Sequence, residues 1–236
     1  MTDAPGPPGW PGRSVLAVCA HPDDESFGLG AVLSDAAAHG AAASVICFTH
    51  GEASTLSLPA GGLGRVRGEE LRQAAAVLGI GEPVLLDYPD GGLGDAPLEE
   101  LADHVEKAAS VVGARTLLAF DLGGVTGHPD HHRATEAALR AAERLDLAVM
   151  GWAVPDDVAA TLNAELGTAF LGRHREEAAA VLDVDRRLQE RAIACHRSQS
   201  ADNPVLWRRL ELHGRREYLV WLRRPPTDVH RRSTGP

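Results

Sequence analysis

Two polar clusters contain the residue types from which catalytic metal sites are built. One is residues 20–25, with the sequence AHPDDE, and the other is residues 127–132, with the sequence GHPDHH. Imidazole nitrogens and carboxylate oxygens are ligands that zinc and ferrous iron accept. Three protein ligands leave a position open for water, which is typical of catalytic rather than structural zinc.

His21, one of the adjacent aspartates Asp23 and Asp24, and a histidine of the second cluster would complete a site with two histidines and one carboxylate. Because two adjacent aspartates cannot easily point at one ion in the same way, we expect one to be a ligand. The other would then be the base for the metal-bound water. The remaining histidine could stabilise an oxyanion or protonate a leaving group.

Both clusters follow predicted β-strands. Apolar runs predict strands at residues 15–20, 44–49, 84–87 and 116–120, and Ala/Leu-rich patterns predict helices at residues 28–39, 69–78, 98–112 and 129–145. This alternation predicts an α/β fold, a Rossmann-like, mostly parallel sheet with helices on both faces. The four units are too few for the eight of a TIM barrel. Open sheets of this kind bind ligands at the carboxyl ends of their strands, where both clusters fall.

The strand and helix pattern weakens after residue 152, where it predicts only a helix at residues 185–196 and a strand at residues 218–221. We therefore predict a single domain at residues 14–222 with a C-terminal extension. Residues 1–13 are predicted to be a flexible N-terminal segment and residues 223–236 a disordered tail.

Composition excludes several classes of protein. The 236 residues have a formal net charge of -10, which argues against a nucleic-acid binder. No apolar run is long enough for a membrane helix, and the N-terminus has no apolar signal-peptide core. Eleven histidines and only three cysteines favour a His/carboxylate metal site over a disulfide framework. We therefore expect a cytoplasmic protein with a small-molecule partner, and a homo-oligomer is compatible with the sequence.

The two clusters resemble those of the LmbE-like, or PIG-L, family of metal-dependent N-deacetylases. Weaker marks of the family extend over residues 14–200. They are THGE at residues 49–52, RGEEL at residues 67–71, DYPDGGL at residues 87–93 and HRSQ at residues 196–199. His50 stands where many relatives have arginine.

The resemblance implies roles that spacing alone leaves open. It implies that His21, Asp24 and His131 bind a divalent metal, usually zinc, with Fe²⁺ as the alternative. It also implies that Asp23 is the general base.

Further roles are implied for the second cluster and for two residues outside it. His128 would stabilise the oxyanion or act as an acid toward the leaving amine, with Asp130 orienting its ring. Arg67 and Asp90 are candidate substrate-binding residues, because a guanidinium and a carboxylate suit sugar hydroxyls or phosphate. His132 is expected on the helix surface.

The implied reaction is hydrolysis of an N-acetyl or other N-acyl group on an amino-sugar conjugate. An amidase acting on a sugar–thiol conjugate and a natural-product deacylase are alternatives with the same chemistry. A non-haem iron oxygenase and a non-enzymatic ligand-binding protein are alternatives of other classes. Asp23→Ala should keep the metal and lose turnover, whereas His21→Ala should lose both.

Overall fold

Strand β1 (Ser14–Cys19) lies in the middle of the sheet, and all six of its residues are buried. It pairs in parallel with β2 (Ala42–Thr49) on one side and with β4 (Thr116–Phe120) on the other. A continuous apolar strand is expected where helices cover both faces of a parallel sheet. The computed structural model describes residues 14–56 and 62–224.

The sheet has eight strands in the order β3-β2-β1-β4-β5-β8-β7, with β6 paired to β5. The remaining strands are β3 (Val84–Tyr88), β5 (Ala148–Pro155), β6 (Gly172–Arg173), β7 (Ala180–Asp183) and β8 (Arg216–Arg223). β8 is antiparallel to both β5 and β7, whereas the other pairs are parallel. The predicted mostly parallel α/β sheet is confirmed.

Helices connect the strands. They are α1 (Asp24–Phe27), α2 (Gly30–Ala38), α3 (Leu63–Leu78), α4 (Leu98–Val112), α5 (Gly124–Gly127), α6 (Pro129–Leu145), α7 (Asp156–Leu166), α8 (Arg187–Ile193), α9 (Arg197–Ser200) and α10 (Pro204–His213). Two 3₁₀ turns cover Leu93–Asp95 and Arg175–Glu177. α4 and α6 have the bounds that the sequence predicts.

Alternate residues of β1 point into two separate cores, as the period of a strand requires. Val15 and Ala17 contact a core that contains Leu33 of α2 and Leu71 of α3. Leu16 and Val18 contact the opposite core, which contains Leu101 and Val105 of α4. In that second core, buried alanines of α6 provide the small side chains that allow helix and sheet to approach closely: Ala134, Ala137, Ala138, Ala141 and Ala142.

The chain changes direction across the sheet at β1. β2 and β3 extend the sheet on one side of β1, whereas β4 and β5 extend it on the other. Such a topological switch point leaves a crevice beyond the carboxyl ends of the two strands, here β1 and β4. The first polar cluster begins directly after β1, and the second begins beyond β4 and the short helix α5. Residues of both clusters line one cavity at this edge of the sheet.

Several elements of the C-terminal half have no counterpart in the predicted pattern. α7 begins directly after the eight-residue strand β5, so no loop separates the residue pattern of the strand from that of the helix. α10 begins with a clear local signal, because the Asn203 side chain accepts a hydrogen bond from Leu206 N and Pro204 occupies the first helical turn. β7 is a short edge strand of four residues, half of them exposed.

Residues 1–13 and 225–236, for which we predicted a flexible segment and a disordered tail, lie outside the described residues. The predicted domain boundary at residue 222 falls inside β8, which ends at Arg223. No helix within residues 14–56 and 62–224 is both long and apolar enough to cross a membrane.

A buried carboxylate joins the two antiparallel strands to the helical layer. Glu217 of β8 accepts hydrogen bonds from Trp152 Nε1 of β5 at 2.7 Å and from Arg186 Nη1 at 2.5 Å, and it lies 3.5 Å from His213 Nδ1. Burial alone would raise the pKa of Glu217, but the contacts with His213 and Arg186 outweigh it and lower this pKa to about 2. The ionised form of Glu217 therefore stabilises the folded state.

Glu217→Gln is expected to lower the free energy of unfolding by about 3–5 kcal/mol at pH 7, because it leaves the buried Arg186 charge without its partner. The pKa of Glu217 is lower in the folded state than in the unfolded state. The difference in free energy of unfolding between wild type and Glu217→Gln should therefore decrease as pH falls from about 4.5 toward about 2. Urea unfolding of both proteins between pH 7 and pH 3 measures this, with Glu211→Gln on exposed α10 surface as the control. A constant difference between wild type and variant would contradict the prediction.

Candidate metal centre and active site

The ends of two neighbouring strands place the clusters side by side. His21 and Asp24 follow β1, and Asp24 opens the short helix α1. His128 is the N-cap of α6, and its Nδ1 accepts a hydrogen bond from the Asp130 backbone N–H at 3.2 Å. With Pro129 in the first turn, this cap brings His131 back toward β1.

His21, Asp24 and His131 form a compact set of potential metal ligands, whose ligand atoms all lie within 4.8 Å of one another. His21 Nδ1 is 3.2 Å from His131 Nε2, and Asp24 Oδ1 is 3.1 Å from the same His131 nitrogen. Ligands of a tetrahedral zinc ion, each about 2.0–2.2 Å from the metal, are about 3.3 Å apart. The donor atoms and their spacing therefore fit zinc.

The second carboxylate oxygen of Asp24 is held by the backbone. Asp24 Oδ2 accepts hydrogen bonds from the amides of Ala20 and His21, both at 3.0 Å. Burial alone would raise the pKa of Asp24, but the charge and hydrogen bond of His131 outweigh it and lower this pKa well below its usual range. Asp24 is thus an ionised carboxylate with Oδ1 directed at His131, while Oδ2 lies 3.9 Å from His21 Nδ1.

Two carboxylates hold the outer nitrogen of His21. His21 Nε2 lies 3.0 Å from Asp90 Oδ1 and 3.4 Å from Asp130 Oδ2. Burial alone would lower the pKa of His21, but Asp130 and Asp90 outweigh it and raise this pKa to about 10. A carboxylate behind a ligating imidazole orients the ring and increases its basicity. Asp90 and Asp130 thus fix the His21 ring with Nδ1 facing His131.

The contacts of Asp130 differ from the expected ones. Its carboxylate accepts hydrogen bonds from Gly91 N at 2.8 Å and Leu93 N at 3.2 Å and lies against His21, whereas only its backbone amide bonds to His128. The expected orientation of the His128 ring by the Asp130 side chain is thus replaced by a backbone cap. A second set, His21, His128 and Asp130, also has ligand atoms within 4.8 Å of one another.

Asp23 has a strained backbone beside the metal ligands. Its φ of 132° lies in a region that side-chain-bearing residues rarely adopt. The strain is balanced by hydrogen bonds at both ends, because Asp23 N donates to Glu25 Oε2 at 2.9 Å and Asp23 O accepts from Phe27 N at 2.7 Å. Such conformations persist where the surroundings over-determine them, often at active sites.

Arg67 holds the Asp23 side chain in place. Its guanidinium donates to Asp23 Oδ2 at 2.9 Å and to the backbone carbonyls of Pro22 and Gly51. Burial raises the pKa of Asp23 to about 6, with Arg67 opposing the change. Arg67 is 3% exposed and lines the cavity, and its guanidinium is bonded to three acceptors, one of them the Asp23 carboxylate.

The Asp90 side chain has partners within the protein. Although it lines the cavity, its Oδ1 contacts His21 and its Oδ2 accepts a hydrogen bond from Ala53 N at 2.8 Å. Glu52 holds the Asp90 amide with a further hydrogen bond of 3.0 Å. Both oxygens of Asp90 are therefore engaged by the protein, as is the guanidinium of Arg67.

The last motif, at residues 196–199, supports the first cluster from behind. His196 is fully buried, and its Nε2 lies 2.6 Å from Glu25 Oε1. Since the other oxygen of Glu25 holds Asp23 N, this pair connects the C-terminal part of the chain to Asp23. His132 is exposed near Glu136, as predicted, and His50 contacts Asp87 at 2.8 Å.

One cavity of about 450 Å³ is lined by residues of both polar clusters. The metal ligand set, Asp23 and His128 contribute to its lining. Much of the remaining wall is apolar, with the lining residues Phe27, Phe120, Val125, Trp152, Phe170, Val205 and Leu206. Asn203 and Arg209 add polar groups from the α10 region, which no sequence motif connects with the site.

His128 faces this cavity as a hydrogen-bond donor. Burial, together with the positive charges of His21 and His131, lowers the pKa of His128. A neutral imidazole whose Nδ1 accepts a hydrogen bond carries its proton on Nε2. His128 thus offers an N–H group beside the metal ligand set.

His131→Ala is expected to lower the affinity for Zn²⁺ by more than the 10- to 100-fold loss typical of an outer-sphere substitution, because a ligand is removed. His128→Ala should change that affinity by less than about tenfold. Competition with a chromogenic chelator measures both. A larger loss in His128→Ala than in His131→Ala would instead favour the set of His21, His128 and Asp130.

Comparison with known proteins agrees with this architecture. A family model described as GlcNAc-PI de-N-acetylase, PIG-L, matches residues 16–142. The 1D-myo-inositol 2-acetamido-2-deoxy-alpha-D-glucopyranoside deacetylase of Streptomyces avermitilis is 32% identical over 222 residues, covering 78% of this chain and 76% of that enzyme. The chain spans only about half the length of other relatives with that name, 51% and 54% in two cases.

Two solved structures share the fold. The N,N'-diacetylchitobiose deacetylase of Pyrococcus horikoshii is 23% identical with a TM-score of 0.66, covering 89% of this chain and 84% of that one. The 4-carboxy-2-hydroxymuconate hydratase GalB of Pseudomonas putida KT2440 is 17% identical with a TM-score of 0.67, covering 92% and 98%. Because these two proteins carry out different reactions on one fold, the fold alone does not decide the chemistry.

The family match and the identity to the Streptomyces enzyme are what decide the family. They confirm the predicted LmbE-like relationship and, at the level of the family, the predicted de-N-acetylase type of hydrolase acting on amino-sugar conjugates. This chain belongs to the PIG-L family.

Proposed function

We propose that this protein hydrolyses the N-acetyl group of an amino-sugar conjugate with a zinc ion bound by His21, Asp24 and His131. The observation that carries the proposal is the spacing of 3.1–3.2 Å between donor atoms of these residues, next to a carboxylate and a histidine that are not in the set. A binding protein has no need of a base beside its metal.

The donor set also defines what the metal contributes. When bound, a divalent ion supplies a Lewis acid that polarises the amide carbonyl and makes water more acidic. Two imidazoles and one carboxylate suit zinc, and Fe²⁺ accepts the same donors. The outer contacts of His21 with Asp90 and Asp130 keep its ring fixed whichever ion is present.

Asp23 is the general base in this proposal. It lies next to ligand Asp24 and lines the cavity, and Arg67 and the strained backbone fix the direction of its carboxylate. A fixed base takes the proton of the attacking water without first paying an entropic cost for its own orientation. It can then return this proton to the leaving amine.

His128 stabilises the negative charge that develops on the amide oxygen. Its Nε2–H donor is preorganised, because the α6 cap holds Nδ1. Donors aimed at a developing oxyanion stabilise the transition state more than the ground state. His128 is thus separate from both the metal set and the base.

The substrate is proposed to be a glycoside of N-acetylglucosamine. The Streptomyces avermitilis relative is named for such a compound, with inositol as the aglycone. Acetate release from a panel of N-acetylated glucosamine glycosides, with added Zn²⁺, tests this activity directly.

Asp23→Asn is expected to lower kcat for acetate release by about 10²- to 10⁴-fold, the usual contribution of a general base. Affinity for Zn²⁺ should stay within a few-fold, because Asp23 is not in the ligand set. Asp87→Asn, at an exposed carboxylate near His50, is the control and should retain wild-type turnover. Wild-type turnover in Asp23→Asn would overturn the mechanism.

Arg67→Met is expected to lower kcat by about tenfold or more and to change KM only a few-fold, because Arg67 positions Asp23. Arg67→Lys, which keeps a charge but not the fork of donors, should be intermediate. Steady-state kinetics on variants that unfold cooperatively measure the two parameters. A large rise in KM with unchanged kcat would instead assign Arg67 to substrate binding.

A further inference from the structure

Arg209 is a buried cation that forms no ion pair with any carboxylate in residues 14–56 and 62–224. It is 6% exposed and belongs to α10, and it lines the same cavity as the metal ligand set. Its Nη2 donates to the Phe27 carbonyl at 2.5 Å, and its guanidinium carbon lies 4.8 Å from the centre of the Trp152 ring. Within the described ranges, no carboxylate lies at salt-bridge distance from it.

The carboxylate that acts electrostatically on Arg209 already has other partners. Glu217 acts on Arg209 electrostatically, but its oxygens are held by Arg186 and Trp152. Burial lowers the pKa of Arg209 to about 10, so the guanidinium is still charged at neutral pH. A buried charge without a counter-ion is unfavourable, and such charges are normally paired.

Arg209 also has donors to spare. The Phe27 carbonyl is its only hydrogen-bond acceptor in the described part of the chain, whereas a guanidinium has five N–H groups. Arg67, the other cavity arginine, is bonded to three acceptors. Of the two described arginines that line the cavity, Arg209 is therefore the one without a carboxylate partner and with donors available to a ligand.

An aromatic wall leads from the metal ligand set to Arg209. The Phe120 ring lies 4.9 Å from His131 and 5.4 Å from Trp152, and Trp152 in turn supports the guanidinium. A substrate with its amide at the ligand set can lie along this wall. Its far end then meets a cation in surroundings of low polarity, where an ionic hydrogen bond is strong.

We infer that Arg209 binds an anionic group, a carboxylate or phosphate, at the end of the substrate remote from the scissile amide. This inference rests on the proposed function and adds a substrate class to it. A guanidinium binds either anion through two parallel hydrogen bonds. The anion belongs either to the aglycone or to the acyl group, and the two arms of the test separate these sources.

The first arm compares N-acetylglucosamine glycosides whose aglycones end in a carboxylate or in the matching carboxamide. The second arm compares N-succinyl-glucosamine with N-butanoyl-glucosamine. We expect kcat/KM to favour the anionic member of one pair by about 10- to 100-fold, the range of a hydrogen bond to a charged group. Absence of any preference in both pairs would overturn the inference and leave the proposed deacylation intact.

Variants locate the preference at Arg209. Arg209→Met should remove it, and Arg209→Lys, which can still bond to the Phe27 carbonyl, should retain part of it. Arg208→Met is the matched control. Arg208 is the neighbour of Arg209 in the chain, and its guanidinium is paired with Glu165 and Glu211 away from the cavity. A preference that survives in Arg209→Met would overturn the assignment.

Binding to the Asp23→Asn protein keeps the test independent of turnover. Calorimetry should show tighter binding of the anionic member of the preferred pair, and Arg209→Met in that background should remove the difference. If no compound releases acetate or another acid, the proposed function fails, whereas a charge-dependent difference in binding would still support the Arg209 site. Equal binding of both members would reject that site.

Discussion

The parallel pairing of β1 with β4 is the constraint on which the site depends. These strands are far apart in the chain, yet Val15 pairs with Thr116 and the register continues to Ala17 and Leu118. Their carboxyl ends therefore open into one crevice at the switch point of the sheet. A metal ligand set needs its donor atoms placed within a fraction of an ångström, and rigid buried strands provide that better than loops.

Around this crevice, ionic and hydrogen-bonding contacts hold each reactive group from behind. Asp90 and Asp130 hold His21, Arg67 and Glu25 hold Asp23, and the α6 cap holds His128. Most of these supporting groups are themselves buried, where the low polarity strengthens such contacts and makes an unpaired group costly. The strained Asp23 backbone is maintained by this arrangement, with buried His196 completing it through Glu25.

The cavity extends the site beyond the metal ligand set in a direction that the polar motifs do not indicate. Phe120 and Trp152 come from neighbouring strands β4 and β5, and Arg209 comes from a helix near the C-terminus. The match to the family model ends at residue 142 of this chain and so includes neither Trp152 nor Arg209. The part of the cavity that we assign to recognition therefore lies in the more C-terminal half of the chain.

The sequence by itself determined the α/β class and the bounds of the two helices α4 and α6. It also determined the strand end that precedes His21 and the helix start that carries His131, because these features depend on local periodicity and on the rules of parallel sheets. The ligand set came from resemblance, and its spacing now fits it. Only the tertiary structure decided that Arg67 supports Asp23, that Asp90 and Asp130 support His21, and that Arg209 enters the cavity. Long side chains choose partners distant in sequence, and neither local pattern nor motif spacing contains the direction of a side chain.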